Sequence, residues 1–169
     1  MIINVIGFGR RSGKTTLIEA ICRKLADRFH IWTVKHISSS FDSAHKDTWR
    51  HLHAGAKAVI AISPEETIIL KKNEDFPLDA VLQEVPLNVT LLLIEGFKKS
   101  NYPKIVVAHN VDEARKITEN TSQVFAIFMN SAENELEKVD GIPILKLDEV
   151  IQKIEETIRE DLTKQHTPN

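Results

Sequence analysis

The residues best suited to chemistry lie in one glycine-containing loop near the amino terminus, Gly7-Phe8-Gly9-Arg10-Arg11-Ser12-Gly13-Lys14-Thr15-Thr16. Glycines allow a backbone to curl so that consecutive N–H groups point at a phosphate, and the dipole of a following helix adds positive potential there. Lys14 is placed to supply a mobile charge to the β- and γ-phosphates, and Thr15 to bind Mg²⁺ through its hydroxyl. The pattern therefore predicts a nucleotide phosphate site formed by the residues from Gly9 to Thr16.

The spacing of this loop departs by one residue from the usual pattern G-x-x-x-x-G-K-[ST]. Gly7 precedes Gly13 by five intervening residues, and Gly9 precedes it by three. Either the loop contains one extra residue, or Gly9 takes the first turn in a shorter arc. Arg10 and Arg11 are candidates for a phosphate or partner contact, although we favour two solvated loop arginines.

A carboxylate at the end of an apolar segment is a second candidate for the same site. The run from Leu91 to Ile94 is strongly apolar and is followed by Glu95 and Gly96. Nucleotide-binding proteins carry an acidic residue for Mg²⁺ at this position, usually an aspartate. Glu95 is therefore predicted to hold Mg²⁺ directly or through water, and the alternative is an ordinary glutamate in a turn.

A polar segment after the second predicted strand offers further candidates. Lys35, His36, Asp42 and Asp47 are predicted to contact metal, water or the γ-phosphate if the segment reaches the same edge of the sheet. Solvated loop polarity is the alternative explanation. A zinc site is disfavoured, because no cysteine or spaced His-x₃-His pattern supports the histidines concerned, which are His36, His45, His51 and His53.

The elements that must position these residues alternate along the chain. Apolar runs predict strands over 2–8, 31–34, 58–62, 67–70, 89–94, 105–108 and 124–129. Apolar stripes at helical spacing predict helices over 14–29, 78–85, 112–118 and 147–162, with a shorter one over 47–53. This order predicts a three-layer α/β fold, with a mostly parallel sheet and a β-hairpin extension. In such sheets ligands bind at the carboxyl ends of the strands, where the loop and Glu95 both fall.

Composition narrows the class of protein. The chain has 169 residues, a net charge of −2 and one cysteine, Cys22. We expect a single domain over 1–162 with a flexible polar tail over 163–169, and no broad nucleic-acid-binding surface. The first residues are typical of a strand rather than a signal peptide, and no apolar run approaches the ~18 residues of a membrane span. We therefore expect a cytoplasmic protein with no membrane segment.

Together these residues resemble the molybdopterin-guanine dinucleotide biosynthesis adapter family, MobB, which has a P-loop NTPase-like fold. The similar segments are Ser12-Gly13-Lys14-Thr15-Thr16-Leu17, Val34-Lys35-His36, Phe41-Asp42, Lys46-Asp47-Thr48, Ala54-Gly55-Ala56, Glu95-Gly96-Phe97-Lys98 and Pro103-Lys104-Ile105. The chain departs from the family in the extra loop residue, in Ser38-Ser39-Ser40 where a second histidine is frequent, and in a shortened run before Lys46.

The resemblance implies a GTP-binding protein that uses Mg²⁺, has at most weak GTPase activity and forms a homodimer. It also implies a partner, the guanylyltransferase that attaches GMP to molybdopterin. The residues alone do not select guanine; Asn130 only marks a position where contacts to a base would arise. The main alternative is a small-molecule kinase using ATP, which would need an arginine-bearing lid, and no strong lid segment is present. A structural domain that has lost nucleotide binding is disfavoured by the intact Lys14 and Thr15.

Overall fold

A computed structural model of the chain describes residues 1–9, 11–37, 47–72, 77–129 and 136–165. In chain order the elements are β1 (Ile2–Gly7), α1 (Lys14–Leu25), β2 (Ile31–Lys35), α2 (Asp47–His53), β3 (Ala58–Ile62), β4 (Thr67–Lys71), α3 (Leu78–Gln83), β5 (Leu91–Glu95), β6 (Lys104–Ala108), α4 (Val111–Thr118), β7 (Val124–Met129), β8 (Lys138–Val139), β9 (Ile142–Leu145) and α5 (Leu147–Gln165). They belong to two compact units, Met1–His36 with Val85–Asn169, and Ile37–Glu84. The single domain over 1–162 stays a prediction.

The larger unit is built on a sheet of seven strands in the order β2-β5-β1-β6-β7-β9-β8. Neighbouring strands run parallel from β2 to β9, and only the short pairing of β8 with β9 is antiparallel among them. The first strand, β1, lies in the interior of the sheet, between β5 and β6. The predicted α/β fold with a mostly parallel sheet and a separate hairpin is confirmed.

Successive residues of the central strands contribute their side chains to two different hydrophobic cores. Ile105 and Val107 of β6 pack with α1 and α5, whereas Val106 and Ala108 pack with α4. Side chains alternate between the two faces of a strand, so this division requires helices on both sides of the sheet. The first core includes Leu17, Ile21, Leu25, Val150 and Ile154. The layers thus fix the start of α1 against the carboxyl end of β1.

The smaller unit contains the antiparallel hairpin of β3 and β4, together with α2 and α3. Ile60 pairs with Ile69, and their exposed fractions are 62% and 56%; Ile62 is 79% exposed on the same face. Val59 and Leu70, on the opposite face, are half-buried. The predicted hairpin around the Ser63 turn is confirmed, and one of its faces is left apolar and open.

The structure differs from the predicted elements mainly after residue 136. The strands β8 and β9 are not among the predicted ones, because β8 has only two residues and β9 contains Pro143. Between them Asp140 and Gly141 have φ values of 49° and 82°, the left-handed conformations of a tight hairpin turn. α1 ends at Leu25 rather than at the predicted residue 29. Beyond it, the N–H groups of Arg28 and Phe29 both donate to the Leu25 carbonyl oxygen.

None of the helices in the described part of the chain is long and apolar enough to cross a membrane.

Candidate functional site

The loop between β1 and α1 begins at a position where only glycine fits. A Cβ on Gly7 would lie 2.6 Å from Ser12 Oγ and 2.8 Å from the Val107 carbonyl oxygen. A Cβ on Gly9 would meet nothing within 4 Å, although its φ of +71° favours glycine. The first close approach among the described residues is therefore at Gly7, which favours the interpretation that the loop carries one extra residue. Gly13 closes the loop with a φ of +89°.

Lys14 is folded back across this loop. Its Nζ donates hydrogen bonds of 2.7 Å to the Gly9 carbonyl oxygen and of 2.7 Å to Ser12 Oγ. Burial lowers the pKa of Lys14; the Glu95 carboxylate opposes this shift, and the neighbouring Lys98 and Lys35 reinforce it. Ser12 itself is buried, whereas Arg11 and Thr16 are exposed. The loop thus surrounds one ammonium group that is bound only by neutral oxygens in the described structure.

The start of α1 offers backbone donors rather than a side-chain cap. Gly13 is the N-cap, and no side chain in the described residues caps the helix. The first turn contains no acidic residue. Because the first N–H groups of a helix have no partner within it, and the helix dipole is positive there, this end favours an anion. The geometry matches the one expected of a phosphate site.

Glu95 lies beside Thr15, as the order of the strands requires. Thr15 Oγ1 is 3.0 Å from Glu95 Oε2 and 3.2 Å from Oε1. Lys35 stands directly opposite Glu95 on the neighbouring strand β2, and its Nζ lies 3.2 Å from Glu95 Oε2. The side chain of Glu95 is only 14% exposed. Three of the predicted site residues are therefore brought together at the carboxyl edge of the sheet.

The pair formed by Thr15 and Glu95 is suited to hold Mg²⁺. Mg²⁺ prefers six oxygens at about 2.0–2.1 Å in an octahedron, so adjacent oxygens stand about 2.9 Å apart. The separation of 3.0 Å between Thr15 Oγ1 and Glu95 Oε2 fits that arrangement. Within the described residues no group of three or more His, Cys, Asp or Glu side chains gathers around a common point. Water and phosphate oxygens would have to complete the shell, as is usual for Mg²⁺ bound with a nucleotide.

His36 lies next to this pair, against an aromatic ring. Its backbone N–H donates to the Glu95 carbonyl oxygen over 2.9 Å, and its ring centroid is 4.8 Å from that of Phe97. A Cβ on Gly96 would come within 2.8 Å of His36 Cβ, so the turn after β5 requires glycine there. The predicted contact of His36 with metal, water or phosphate stays a prediction.

For the other residues predicted to belong to the site, Arg10, Asp42 and Asp47, a place in this group stays a prediction. Arg10 and Asp42 lie outside the described residues. Asp47 begins α2 in the smaller unit, and its carboxylate is 3.3 Å from Arg50. Of the histidines weighed for zinc, His53 stacks on Trp49 with ring centroids 3.6 Å apart, and His45 is outside the described part of the chain.

A buried polar network positions the segment that follows Glu95. Asn4 is wholly buried, and its Nδ2 donates to the Phe97 carbonyl oxygen over 3.0 Å and to Ser100 Oγ over 2.8 Å. Lys104 is 1% exposed, and its Nζ donates to the carbonyl oxygens of Ser100, Tyr102 and Ser122. Sequence reasoning assigned neither residue a role. In the sequence, the signal for this network was Asn4 itself, a polar residue within the apolar run of β1.

The network also explains an uncommon backbone conformation. Phe97 has a φ of 45°, which is rare for a residue with a side chain, and the bond from Asn4 helps hold it. Lys98, the next residue, places its Nζ 6.0 Å from the centre of the Phe8 ring in the glycine loop. Lys98 thereby adds a third cation beside the loop, after Lys14 and Lys35.

Comparison with known proteins identifies one family. The family model for molybdopterin guanine dinucleotide synthesis protein B, MobB, matches residues 2–130. A probable molybdopterin-guanine dinucleotide biosynthesis adapter protein of Bacillus subtilis (strain 168) is 30% identical over 156 residues, which cover 89% of this chain and 87% of that protein. The molybdopterin-guanine dinucleotide biosynthesis adapter protein of Haemophilus influenzae is 31% identical over 134 residues, covering 76% and 74% of the two chains.

A solved structure supports the same assignment. The crystal structure of Bacillus subtilis MobB is 27% identical and superposes with a TM-score of 0.70, covering 94% of this chain and 96% of that one. The matched region of the family model contains the glycine loop, Lys35, Glu95 and the network around Lys104. The chain belongs to the MobB family, that of molybdopterin guanine dinucleotide synthesis protein B.

Proposed function

We propose that this chain is a GTP-binding accessory protein of molybdopterin guanine dinucleotide biosynthesis, which binds Mg·GTP at its phosphate loop and assists the guanylyltransferase. The observation that carries the proposal is the position of Lys14, between an uncapped helix start and the Thr15–Glu95 pair. Family membership supports the adapter role, since the relatives compared above are named as adapter proteins of this biosynthesis.

Each residue of the site has a distinct part in binding. The backbone N–H groups from Gly13 onward and the Lys14 ammonium bind phosphate oxygens, and charge-assisted hydrogen bonds of this kind are about twice as strong as neutral ones. Thr15 and Glu95 hold Mg²⁺, which neutralises the charge on the β- and γ-phosphates when it is bound. Lys14 exchanges its two neutral acceptors, Gly9 and Ser12, for charged ones.

The arrangement favours binding over rapid hydrolysis. A fast hydrolase must position a water molecule or supply a base near the γ-phosphate. The carboxylate of Glu95 lies against Thr15 and is proposed to hold Mg²⁺, so it is poorly placed to accept a proton from water. We therefore propose at most weak GTPase activity.

The open face of the hairpin supports a homodimer. Ile60, Ile62 and Ile69 form an exposed apolar strip on a two-stranded sheet. A hairpin of two strands is at best marginally stable in water, and burying this strip against a second copy would stabilise it. A second copy provides an identical strip, as a two-fold symmetric interface requires.

A nucleotide panel tests the proposal. Isothermal titration with GTP, ATP and GDP, each with and without Mg²⁺, should give the highest affinity for Mg·GTP and little turnover of the bound nucleotide. Rapid transfer of phosphate from ATP to a small molecule would instead identify a kinase. Absence of binding to all three nucleotides would refute the proposal, and so would failure of the GTP-loaded protein to stimulate a guanylyltransferase.

A further inference from the structure

The ammonium group of Lys35 occupies the place that a cation should take in the site. Its Nζ is 3.2 Å from Glu95 Oε2 and 3.4 Å from Thr15 Oγ1. These are the same two oxygens that fit adjacent positions around Mg²⁺. Register fixes the arrangement, because Lys35 and Glu95 are paired across β2 and β5.

Resting on the proposed function, we infer that Lys35 acts as an internal counter-cation that keeps Mg²⁺ out of the site until a nucleotide arrives. A carboxylate as secluded as that of Glu95, 14% exposed, needs a compensating charge, and Lys35 supplies it. Free Mg²⁺ must therefore displace a tethered cation, with only two protein oxygens to gain. An ammonium and Mg²⁺ that share two oxygens also repel each other at short range.

A polyphosphate removes this obstacle. Its oxygens give Lys35 a second anionic partner and complete the shell of Mg²⁺. The side chain of Lys35 is 51% exposed, so it is free to leave Glu95 without breaking the core. Lys35 then leaves Glu95 and binds the phosphates. Thr15 and Glu95 bind the metal, so that metal and nucleotide bind together.

The inference distinguishes Lys35 from Lys14. Lys14 is bound by the neutral oxygens of Gly9 and Ser12 within the loop, so its removal frees no metal ligand. Removal of Lys35 leaves Glu95 without the ammonium at 3.2 Å and exposes both candidate metal oxygens. Only the second change should create a metal site in the absence of nucleotide.

The test measures Mn²⁺ binding to the nucleotide-free protein, with the free ion followed by electron paramagnetic resonance. Lys35→Met should bind Mn²⁺ at least tenfold more tightly than the unaltered chain and than Lys153→Met, a control at an exposed position on α5. The double variant Lys35→Met/Glu95→Gln should lose the gain. Unchanged Mn²⁺ affinity in Lys35→Met, or a gain that survives Glu95→Gln, would overturn the inference.

Two further measurements keep the outcome decisive. Thermal unfolding checks that each variant is folded, and Lys35→Gln gives a second neutral replacement if methionine disturbs β2. No nucleotide is present in these titrations, so the result does not depend on GTP binding. A gain in Mn²⁺ affinity together with failure to bind GTP would refute only the proposed function, whereas normal GTP binding without the gain would refute only the role of Lys35.

Discussion

The phosphate loop and the segment after Glu95 follow adjacent strands, yet they are held in opposite ways. In the loop, Phe8 is 63% exposed and Lys14 is bound by two neutral acceptors that a ligand can replace. In the segment from Phe97 to Pro103, the holding groups are Asn4 and Lys104, both buried inside the sheet. We call the loop, whose holding bonds are accessible, the adaptable side, and the segment, whose holding groups are buried, the fixed side.

The largest expected effect is on the adaptable side. Lys14→Ala should reduce the affinity for Mg·GTP by about 100-fold or more, because charge-assisted hydrogen bonds to phosphate contribute about 1.5–3 kcal/mol each. Isothermal titration measures the loss, and thermal unfolding should show little change, because the bonds that Lys14 makes within the loop are to neutral groups. Lys153→Ala is the matched control, and unchanged GTP affinity in Lys14→Ala would remove this lysine from the site.

A substitution on the fixed side should act on stability instead. Lys104→Met should lower the free energy of unfolding by about 2 kcal/mol, because it leaves buried carbonyl oxygens without their donor. Urea denaturation measures this, with Lys153→Met as the control for loss of a lysine at an exposed position. If Lys104→Met instead weakened GTP binding and left unfolding unchanged, the contrast between the two sides would be wrong.

Glu95→Gln tests the residue that lies between the two regions, because Glu95 contacts Thr15 after the loop and precedes the segment from Phe97 to Pro103. The amide is a poor ligand for Mg²⁺, so GTP affinity should become nearly the same in Mg²⁺ and in a chelator, a loss of about tenfold in the Mg²⁺ enhancement. Titration of GTP at a series of Mg²⁺ concentrations tests this. A Mg²⁺ dependence like that of the unaltered chain would exclude Glu95 as a metal residue.

The smallest expected effect is a dependence of stability on pH. Burial lowers the pKa of Lys104, so between that lowered value and the ordinary value of about 10.4 the unfolded chain binds more protons than the folded one. Stability relative to Lys104→Met should therefore rise with pH in that window. Urea midpoints of both proteins from neutral pH to pH ~10.5 give the difference, and a difference that falls with pH would contradict the assigned direction.

Local patterns were sufficient to predict much of the fold and part of the site. The glycine loop, the apolar run before Glu95 and the hairpin each have a signature within ten or so neighbouring residues. The salt bridge of Lys35 with Glu95 depends on β2 and β5 being neighbours in the sheet, which no local pattern encodes. The inward position of Lys104 was also not predictable, because lysine is almost always exposed.

The position of β1 between β5 and β6 has a consequence for folding during synthesis. Its two neighbours, β5 and β6, are contributed by residues roughly ninety to a hundred positions further along the chain. Such distant pairings form late, so a chain still emerging from the ribosome would carry the complete glycine loop long before it had a sheet to brace it. Under the proposed function, fragments that end before β6 should therefore fail to bind GTP.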